Sequence, residues 1–237
     1  MPNASPWGDP EPNEPRLRRL SPTLIVILVA LPVLGYLCGS YVERHALNAP
    51  STRLDVAIKA LNGGYDRTAL TLFQPLAEQG NARAQFHLAL MYEHGWGTAK
   101  DANKARDLYT EAAERGLVPA QSRLGEVYLH GTLVLQDLAK ARQWSEKAAR
   151  AKDIDAQLEL ADIYERGLGV SADAIEAYAW NAVAAAAGNA LAVSQRDRIL
   201  MTLSPDNQAK AQARATVLAA SMKGPPAPSG AAAQAGA

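Results

Sequence analysis

The sequence predicts an all-α protein, a stack of paired helices preceded by a single transmembrane helix. Three observations lead to this fold class. Residue types recur every 36 positions over most of the chain, an uncharged run of twenty residues lies near the amino terminus, and the composition favours helices. Hydrophobic residues make up 48% of the chain but aromatic residues only 6%. That bias suits closely packed helices better than sheets, which favour β-branched and aromatic side chains.

Charge and cysteine content exclude several classes of protein. Lys and Arg together number 24, as do Asp and Glu, so the formal net charge is zero. The chain therefore lacks the basic footprint of a nucleic-acid binder. Its single cysteine, Cys38, permits neither an intrachain disulfide nor a cysteine metal cage. We expect no nucleic-acid partner, no metal site and no small-molecule cofactor.

The amino-terminal region is predicted to be a signal anchor. Residues 1–19, rich in proline, are expected to form a disordered cytoplasmic segment. Residues 23–42 carry no charge, and as a helix they span about 30 Å, the thickness of a bilayer hydrocarbon core. This places a transmembrane helix at residues 20–44. The alternatives are a buried core helix and a cleaved signal peptide, and the length of the uncharged run counts against both.

The charges beside this span predict its orientation. Three arginines closely precede it, whereas only Arg44 closely follows it. The positive-inside bias therefore places the amino terminus in the cytoplasm. The rest of the chain then lies across the membrane, in the periplasm if the cell is bacterial. We expect a single-pass protein of a bacterial inner membrane.

The 36-residue period predicts pairs of helices. Ala84, Leu88 and Tyr92 are spaced to lie on one face of a first helix, which Gly95 can end in a left-handed conformation. Asp101 can cap a second helix, in which alanines and one large residue form the facing stripe. The equivalent residues follow in two further units: Ala120, Leu124, Tyr128, Gly131 and Asp137, then Ala156, Leu160, Tyr164, Gly167 and Asp173.

This pattern divides the soluble part into repeats, end caps and a tail. The solenoid needs caps because its terminal helices would otherwise expose apolar faces. The predicted segments are a capping half-repeat at 52–80, repeats at 81–116, 117–152 and 153–188, capping helices at 189–223 and a low-complexity tail at 224–237. Gly80, Gly116 and Gly188 are expected to end second helices, and Lys152 stands in the same column.

The first repeat resembles the Sel-one-like repeat, a relative of the tetratricopeptide repeat. The resemblance covers residues 52–223 and implies a right-handed α/α solenoid that acts as an adaptor for other proteins. The middle repeat departs at Leu133, where a second loop glycine is expected, so its loop is expected to differ in shape. Some cysteine-rich members are linked to β-lactam binding, but this chain lacks their cysteine pairs. The matching residues are Ala84, Leu88, Tyr92, Gly95, Gly97, Asp101, Lys104, Ala105, Ala112, Ala113 and Gly116.

Residues suited to catalysis are not spaced for it. His87 and His94 stand seven positions apart, about 10 Å along a helix, which is too far to chelate one ion. His94 and His130 share one column at the ends of first helices, where a polar cap is the simpler interpretation. The sequence contains no HExxH motif, nucleophile elbow or phosphate-binding loop. We therefore predict no catalytic residues, and a protein that is not an enzyme.

A protein-binding face is the favoured hypothesis for function. The first helices of a solenoid line its concave side, and columns whose residue type changes between repeats are expected to face solvent. Apolar residues there are candidates for partner contacts, although isolated exposed apolar residues are also ordinary. The candidate partner-binding residues are Phe86, Leu90, Glu93, Trp96, Glu126, Leu129 and Asp162.

Three functions remain open at this point. The first is a membrane-anchored interaction scaffold of the cell envelope, with a partner protein on the concave helix face. The second is a ligand binder or hydrolase directed at the cell wall, and the third is a passive structural tether. The absence of an acid/base constellation favours the scaffold over the hydrolase.

Overall fold

The described part of the chain consists of helices joined by turns. The computed structural model describes residues 50–222, and over that range it contains ten helices and no strand. The all-helical prediction is therefore confirmed for these residues. The helices are α1 Pro50–Asn62, α2 Asp66–Glu78, α3 Ala82–His94, α4 Ala102–Glu114, α5 Val118–His130, α6 Leu138–Arg150, α7 Ile154–Arg166, α8 Ala174–Ala186, α9 Ala190–Thr202 and α10 Pro205–Ser221.

The predicted membrane anchor falls outside this range. None of the helices between residues 50 and 222 is both long and apolar enough to cross a membrane. The span predicted at 20–44, the segment 1–19 and the tail 224–237 all lie outside the described residues.

Each of the three repeats begins with a first helix that ends at a glycine. These first helices are α3, α5 and α7, and they end at Gly95, Gly131 and Gly167, whose φ angles of 79°, 66° and 69° are left-handed. The N–H of each glycine donates to the carbonyl four residues back, which satisfies an acceptor of the last helical turn. The prediction that these glycines end the first helices is thus confirmed.

Each second helix, α4, α6 or α8, begins at an aspartate. Oδ1 of Asp101 and of Asp137 accepts a hydrogen bond of 3.0 Å from the backbone N–H three residues later. Oδ1 of Asp173 accepts the equivalent bond at 3.1 Å. A cap of this kind contributes about 1 kcal/mol to helix stability. These carboxylates therefore have the structural role that the sequence indicated.

Small residues bring the helices of the stack close together. Ala84 and Ala105 are 0% exposed and Leu88 is 5% exposed, so these columns form the core as expected. The tyrosine column differs from the expectation, because Tyr92 is only half-buried. The Nζ atom of Lys104 lies 5.2 Å from the centre of its ring. The tyrosines therefore border the core, where their phenol groups and a lysine remain at the surface.

A buried glutamine connects each repeat to the second helix before it. Gln85, Gln121 and Gln157 are at most 9% exposed. Their Nε2 atoms donate to the carbonyl of the alanine eight residues earlier, at 3.2, 3.0 and 3.1 Å respectively. These bonds join α2 to α3, α4 to α5 and α6 to α7.

The long loops of the first and third repeats approach a preceding helix closely. A Cβ on Gly97 would lie 2.7 Å from the backbone of Asp66, and one on Gly169 would lie 2.6 Å from Cβ of Leu138. Leu133 occupies this position in the middle repeat and cannot approach so closely. A cavity of about 550 Å³ lies between its loop and α4. The leucine in place of the second loop glycine therefore changes how this loop packs.

Candidate partner-binding face

The first helices form one continuous face of the stack, together with α9. We call it the first-helix face. An ion pair between Glu93 and Arg123 joins α3 to α5. Another, between Glu165 and Arg198 at 2.7 Å, joins α7 to α9. Neighbouring first helices are thus in direct contact, which is the arrangement expected on the inner side of a solenoid.

The two apolar candidates on α3 are packed into the structure. Phe86 is half-buried, with its ring centre 5.6 Å from that of Tyr109 and 5.7 Å from that of His87. Leu90 is also half-buried and packs on the core cluster around Tyr109. Both side chains reach the surface only in part, so they support the fold as well as offering contact area.

Leu129 does not face solvent, and the expectation that it would is wrong. It is 7% exposed and belongs to the core cluster that contains Ala141 and Trp180. Its column holds glutamate in the repeats on either side, Glu93 and Glu165. A change of residue type in a column therefore does not by itself identify an exposed position. At this position the apolar residue is part of the core.

Glu93 lies in a hydrogen-bonded cluster between α3, α4 and α5. Its side chain is 8% exposed and pairs with Arg123, and the hydroxyl of Tyr109 donates to its Oε2 at 2.6 Å. Burial alone would raise the pKa of Glu93, but the hydrogen bonds from Arg123 and Tyr109 outweigh it and hold the pKa below its usual value. Burial, together with Glu93, also raises the pKa of Tyr109. Glu93 is thus an ionised structural carboxylate.

Glu126 and Asp162 remain accessible on the middle of the face. Glu126 pairs with Arg123 at 2.5 Å, yet its side chain is 41% exposed. Asp162 pairs with Arg166 at 3.0 Å along α7, and its side chain is 46% exposed. Exposed ion pairs of this kind contribute little to stability. These two carboxylates are therefore available for contacts with another molecule.

The half-buried carboxyl group of Glu159 lies near these two residues. Oγ of Ser145, a residue that is 0% exposed, is within hydrogen-bond distance of both Glu159 Oε1 and the carbonyl of Ala141, so its single proton is shared between two acceptors. Burial first, and then the nearby charges of Glu126, Asp153 and Asp162, outweigh the hydrogen bond with Ser145 and together raise the pKa of Glu159 to about 7. The described residues offer Glu159 no cationic partner of the kind that Arg123 gives Glu93. This group is consequently poised to change its charge near neutral pH.

Trp96 lies in the loop after α3, away from the carboxylates just described. It is 39% exposed, and its ring centre is 4.6 Å from that of His94. His94 and His130 are the last residues of α3 and α5, and both are exposed. Between residues 50 and 222 no group of three or more His, Cys, Asp or Glu side chains could hold a metal ion.

One column of the first helices links these clusters and was not among the predicted site residues. His87, Arg123 and Glu159 are successive residues of one column and have three different ionisable groups, an imidazole, a guanidinium and a carboxyl group. This column precedes that of Leu90, Glu126 and Asp162 by three positions, so both lie on one side of the first helices. The change from arginine to glutamate was the available signal. It indicated a charge difference between neighbouring repeats.

Two solved structures are similar to this chain. A Sel1 repeat protein from Oxalobacter formigenes is 34% identical, covers 65% of this chain and 46% of its own chain, and has a TM-score of 0.60. A protective antigen present in uropathogenic Escherichia coli strains, which displays an SLR fold, is 24% identical. It covers 75% of this chain and 47% of its own chain, with a TM-score of 0.46. This chain thus spans about half the length of each. No curated protein matches it.

The repeat units also match a family model. The Sel1 repeat model matches residues 82–117, 118–153 and 154–189. Proteins with Sel1 repeats generally mediate protein–protein interactions, and their fold is typically a non-catalytic scaffold. The three repeats of this chain, with the structural likeness to the Oxalobacter protein, support a Sel1-like repeat family for this segment.

Proposed function

We propose that this chain is a membrane-anchored scaffold of the cell envelope that binds a partner protein on its first-helix face. The general role of Sel1 repeats in protein interaction supports this function. One observation carries the choice of surface. The first helices form a continuous face on which Glu126 and Asp162 are 41% and 46% exposed, in a column that differs in every repeat. Packing of the repeat does not require these residues.

The structure changes which side chains should make the contacts. Phe86 and Leu90 are the apolar candidates on α3, but both pack on the core around Tyr109. Replacing them with alanine would destabilise α3 as well as remove contact area, so a loss of binding would have two explanations. Glu126 and Asp162 make only partly exposed ion pairs and can be replaced with little effect on folding.

Site-specific photo-crosslinking in the full chain tests the surface. A photoreactive residue at position 126 or 162 should crosslink the partner in native membranes. The same residue at position 107 is the matched control, because Asp107 is 61% exposed but lies on the second helix α4. Stronger crosslinking from position 107 than from 126 and 162 would place the partner on the second helices and contradict the proposal.

The anchor rests on the uncharged run within residues 20–44. We expect the protein to stay in the membrane fraction after a carbonate wash, and a reporter fused after Lys223 to signal a non-cytoplasmic location. Release of a shortened chain that begins after residue 37 would show that the span is a cleaved signal. A cytoplasmic signal from the fusion would reverse the orientation.

A further inference from the structure

A small cavity lies at the carboxyl-terminal ends of α8 and α10, beside the turn between α6 and α7. We call it the α8–α10 cavity. It has a volume of about 240 Å³ and is lined by Lys152, Gln157, Val183, Ala186 and Ala187, with two residues from the end of α10. That volume is below the roughly 300–1,000 Å³ of sites that bury a drug-sized ligand. The cavity is therefore of a size for one or two side chains.

The first repeat contains the group that is missing from this cavity. There the amide of Gln85 donates one hydrogen bond to a backbone carbonyl and a second, of 2.6 Å, to Oε2 of Glu111. The guanidinium of Arg115 lies over Gly80, 3.3 Å from where a Cβ would stand. A carboxylate and a cation thus occupy this corner of the first repeat.

The third repeat keeps the glutamine but lacks both of these side chains. Gln157 aligns with Gln85, whereas Val183 stands at the position of Glu111 and Ala187 at that of Arg115. Gln157 is 2% exposed and donates to the carbonyl of Ala149. With the described residues it makes no second hydrogen bond of the kind that Gln85 makes to Glu111. Oε1 of Gln157 and Oε1 of Gln85 both lack a hydrogen-bond partner among these residues, so the two glutamines differ only at Nε2. The short side chains of Val183 and Ala187 leave the cavity open.

Lys152 supplies a cation at this corner of the third repeat. Lys152 stands at the position of Gly80, is exposed, and makes no ion pair with another described residue. It keeps a left-handed φ of 72°, which is unfavourable for a residue with a Cβ. In the middle repeat Lys147 stands where the first repeat has its glutamate and Gln121 makes only the bond to the backbone, so the carboxylate partner is found in the first repeat alone among the three. The cavity of the third repeat therefore combines an ammonium group at its mouth, an amide without the carboxylate that Gln85 has, and an apolar wall.

We propose that the α8–α10 cavity binds a glutamate side chain of a partner protein, with a small aliphatic residue beside it. The carboxylate takes the place that Glu111 fills in the first repeat, accepts from Nε2 of Gln157 after a small adjustment of the side chains, and pairs with Lys152. The aliphatic neighbour packs on Val183 and Ala186. This surface is separate from the exposed carboxylates of the first-helix face, so it would be a second point of attachment.

Binding of a defined peptide to the full chain in detergent micelles tests this proposal. The probe is a fluorescent peptide blocked at both ends that contains Glu-Val between glycines, and its control replaces the glutamate with glutamine. Because a hydrogen bond to a charged group contributes about 1.5–3 kcal/mol, we expect the glutamate peptide to bind at least about tenfold more tightly in fluorescence anisotropy. Equal affinities, or no binding of either peptide at about 10 mM, would overturn the proposal.

Two variants of the chain locate the peptide. Val183→Glu supplies the missing carboxylate from the chain itself and should abolish peptide binding without lowering the melting temperature. Lys152→Met should weaken binding about tenfold or more, whereas Arg150→Met, which removes a cation two residues away, should leave it unchanged. Unchanged binding by both Val183→Glu and Lys152→Met would place the peptide elsewhere. Dissociation of a dimer of the chain by unlabelled peptide, measured by sedimentation in the same micelles, would identify a second copy as the occupant and would also refute the proposal.

Discussion

Two neighbouring junctions of the first-helix face differ in how they bury a carboxyl group. Between α3 and α5, Glu93 is ionised, because Arg123 and the hydroxyl of Tyr109 both donate to it. Between α5 and α7, Glu159 has a single donor, Ser145, and faces acidic neighbours. The first junction keeps its charge by pairing it, whereas the second is stable mainly when its charge is absent.

A glycine in the core of the middle repeat makes room for this difference. Ala89 in the first repeat and Ala161 in the third are both buried, and the middle repeat has Gly125 between them. A Cβ on Gly125 would lie 2.4 Å from Oγ of Ser145 and 2.7 Å from Oε1 of Glu159. The carboxyl group of Glu159 thus lies against a space that a methyl group fills elsewhere. The donor column changes as well, from buried Tyr109 in the first repeat to buried Ser145 in the second, so one repeat backbone accommodates opposite electrostatic arrangements through small changes in the core.

A substitution in the core of the middle repeat should have the largest effect on stability. Ala141 is 0% exposed and packs in the core of the middle repeat. Ala141→Trp should lower the free energy of unfolding by about 3 kcal/mol or more, because a close-packed helix contact cannot absorb the added volume. Ala139→Trp, on the exposed side of the same helix, is the control in thermal or urea unfolding. Equal stability of the two variants would show that this column is not packed.

The second-largest effect should be a pH dependence of stability that comes from the Glu159 junction and not from the Glu93 junction. Glu159 has a pKa of about 7 in the folded chain and about 4.5 when unfolded, so only the unfolded chain ionises it between these values. Its contribution therefore falls as the pH rises from about 4.5 to 7, by about 3 kcal/mol in total.

Urea unfolding at pH 5 and pH 7.5 measures the contribution of Glu159 to the free energy of unfolding. Relative to the native chain, Glu159→Gln should gain stability at pH 7.5 but not at pH 5. The matched variant Glu165→Gln removes a carboxylate that is paired with Arg198 and should show no such gain. A difference between native and Glu159→Gln that is the same at both pH values would mean that Glu159 titrates normally.

Removing the cation from the first junction should make it behave more like the second. Arg123→Met leaves the buried Glu93 with only the hydroxyl of Tyr109, so we expect a loss of about 2 kcal/mol and a rise in the pKa of Glu93. Arg166→Met, which removes an exposed pair with Asp162, should cost less than about 0.5 kcal/mol. Denaturant unfolding compares the two. Similar small losses would show that the Glu93 pair is no stronger than a surface ion pair.

The smallest expected effect on stability concerns two turns, those after the second helices α4 and α6. Lys152 has φ 72°, where Gly116 has φ 85° at the same position of the preceding repeat. Lys152→Gly should stabilise the fold by about 1 kcal/mol, and Gly116→Lys should destabilise it by a similar amount. No atom lies within 4 Å of a Cβ built on Gly116, so the second variant reports backbone strain alone. Changes of the same sign in both melting temperatures would refute this explanation.

The sequence was sufficient for the features that depend on local chemistry. Gly95 and Asp101 could be read as a helix end and a helix start, because caps depend on residue type and on near neighbours along the chain. Leu129 was misplaced because exposure depends on which helix covers a residue. The environment of Glu159 was missed because Ser145, Gly125 and Glu126 approach it only after three helices have packed. The anchor at residues 20–44 stays a prediction.

The buried glutamines also bear on how such a chain can be rearranged. Gln85, Gln121 and Gln157 each bind a main-chain carbonyl of the preceding helix, an acceptor that every sequence provides. A unit that carries its own glutamine can therefore be duplicated, deleted or exchanged without a matching side chain on its neighbour. Arg123 and Glu93, by contrast, must be transferred together. We expect recombination to be tolerated where the link is to the main chain and selected against where it separates a charged pair.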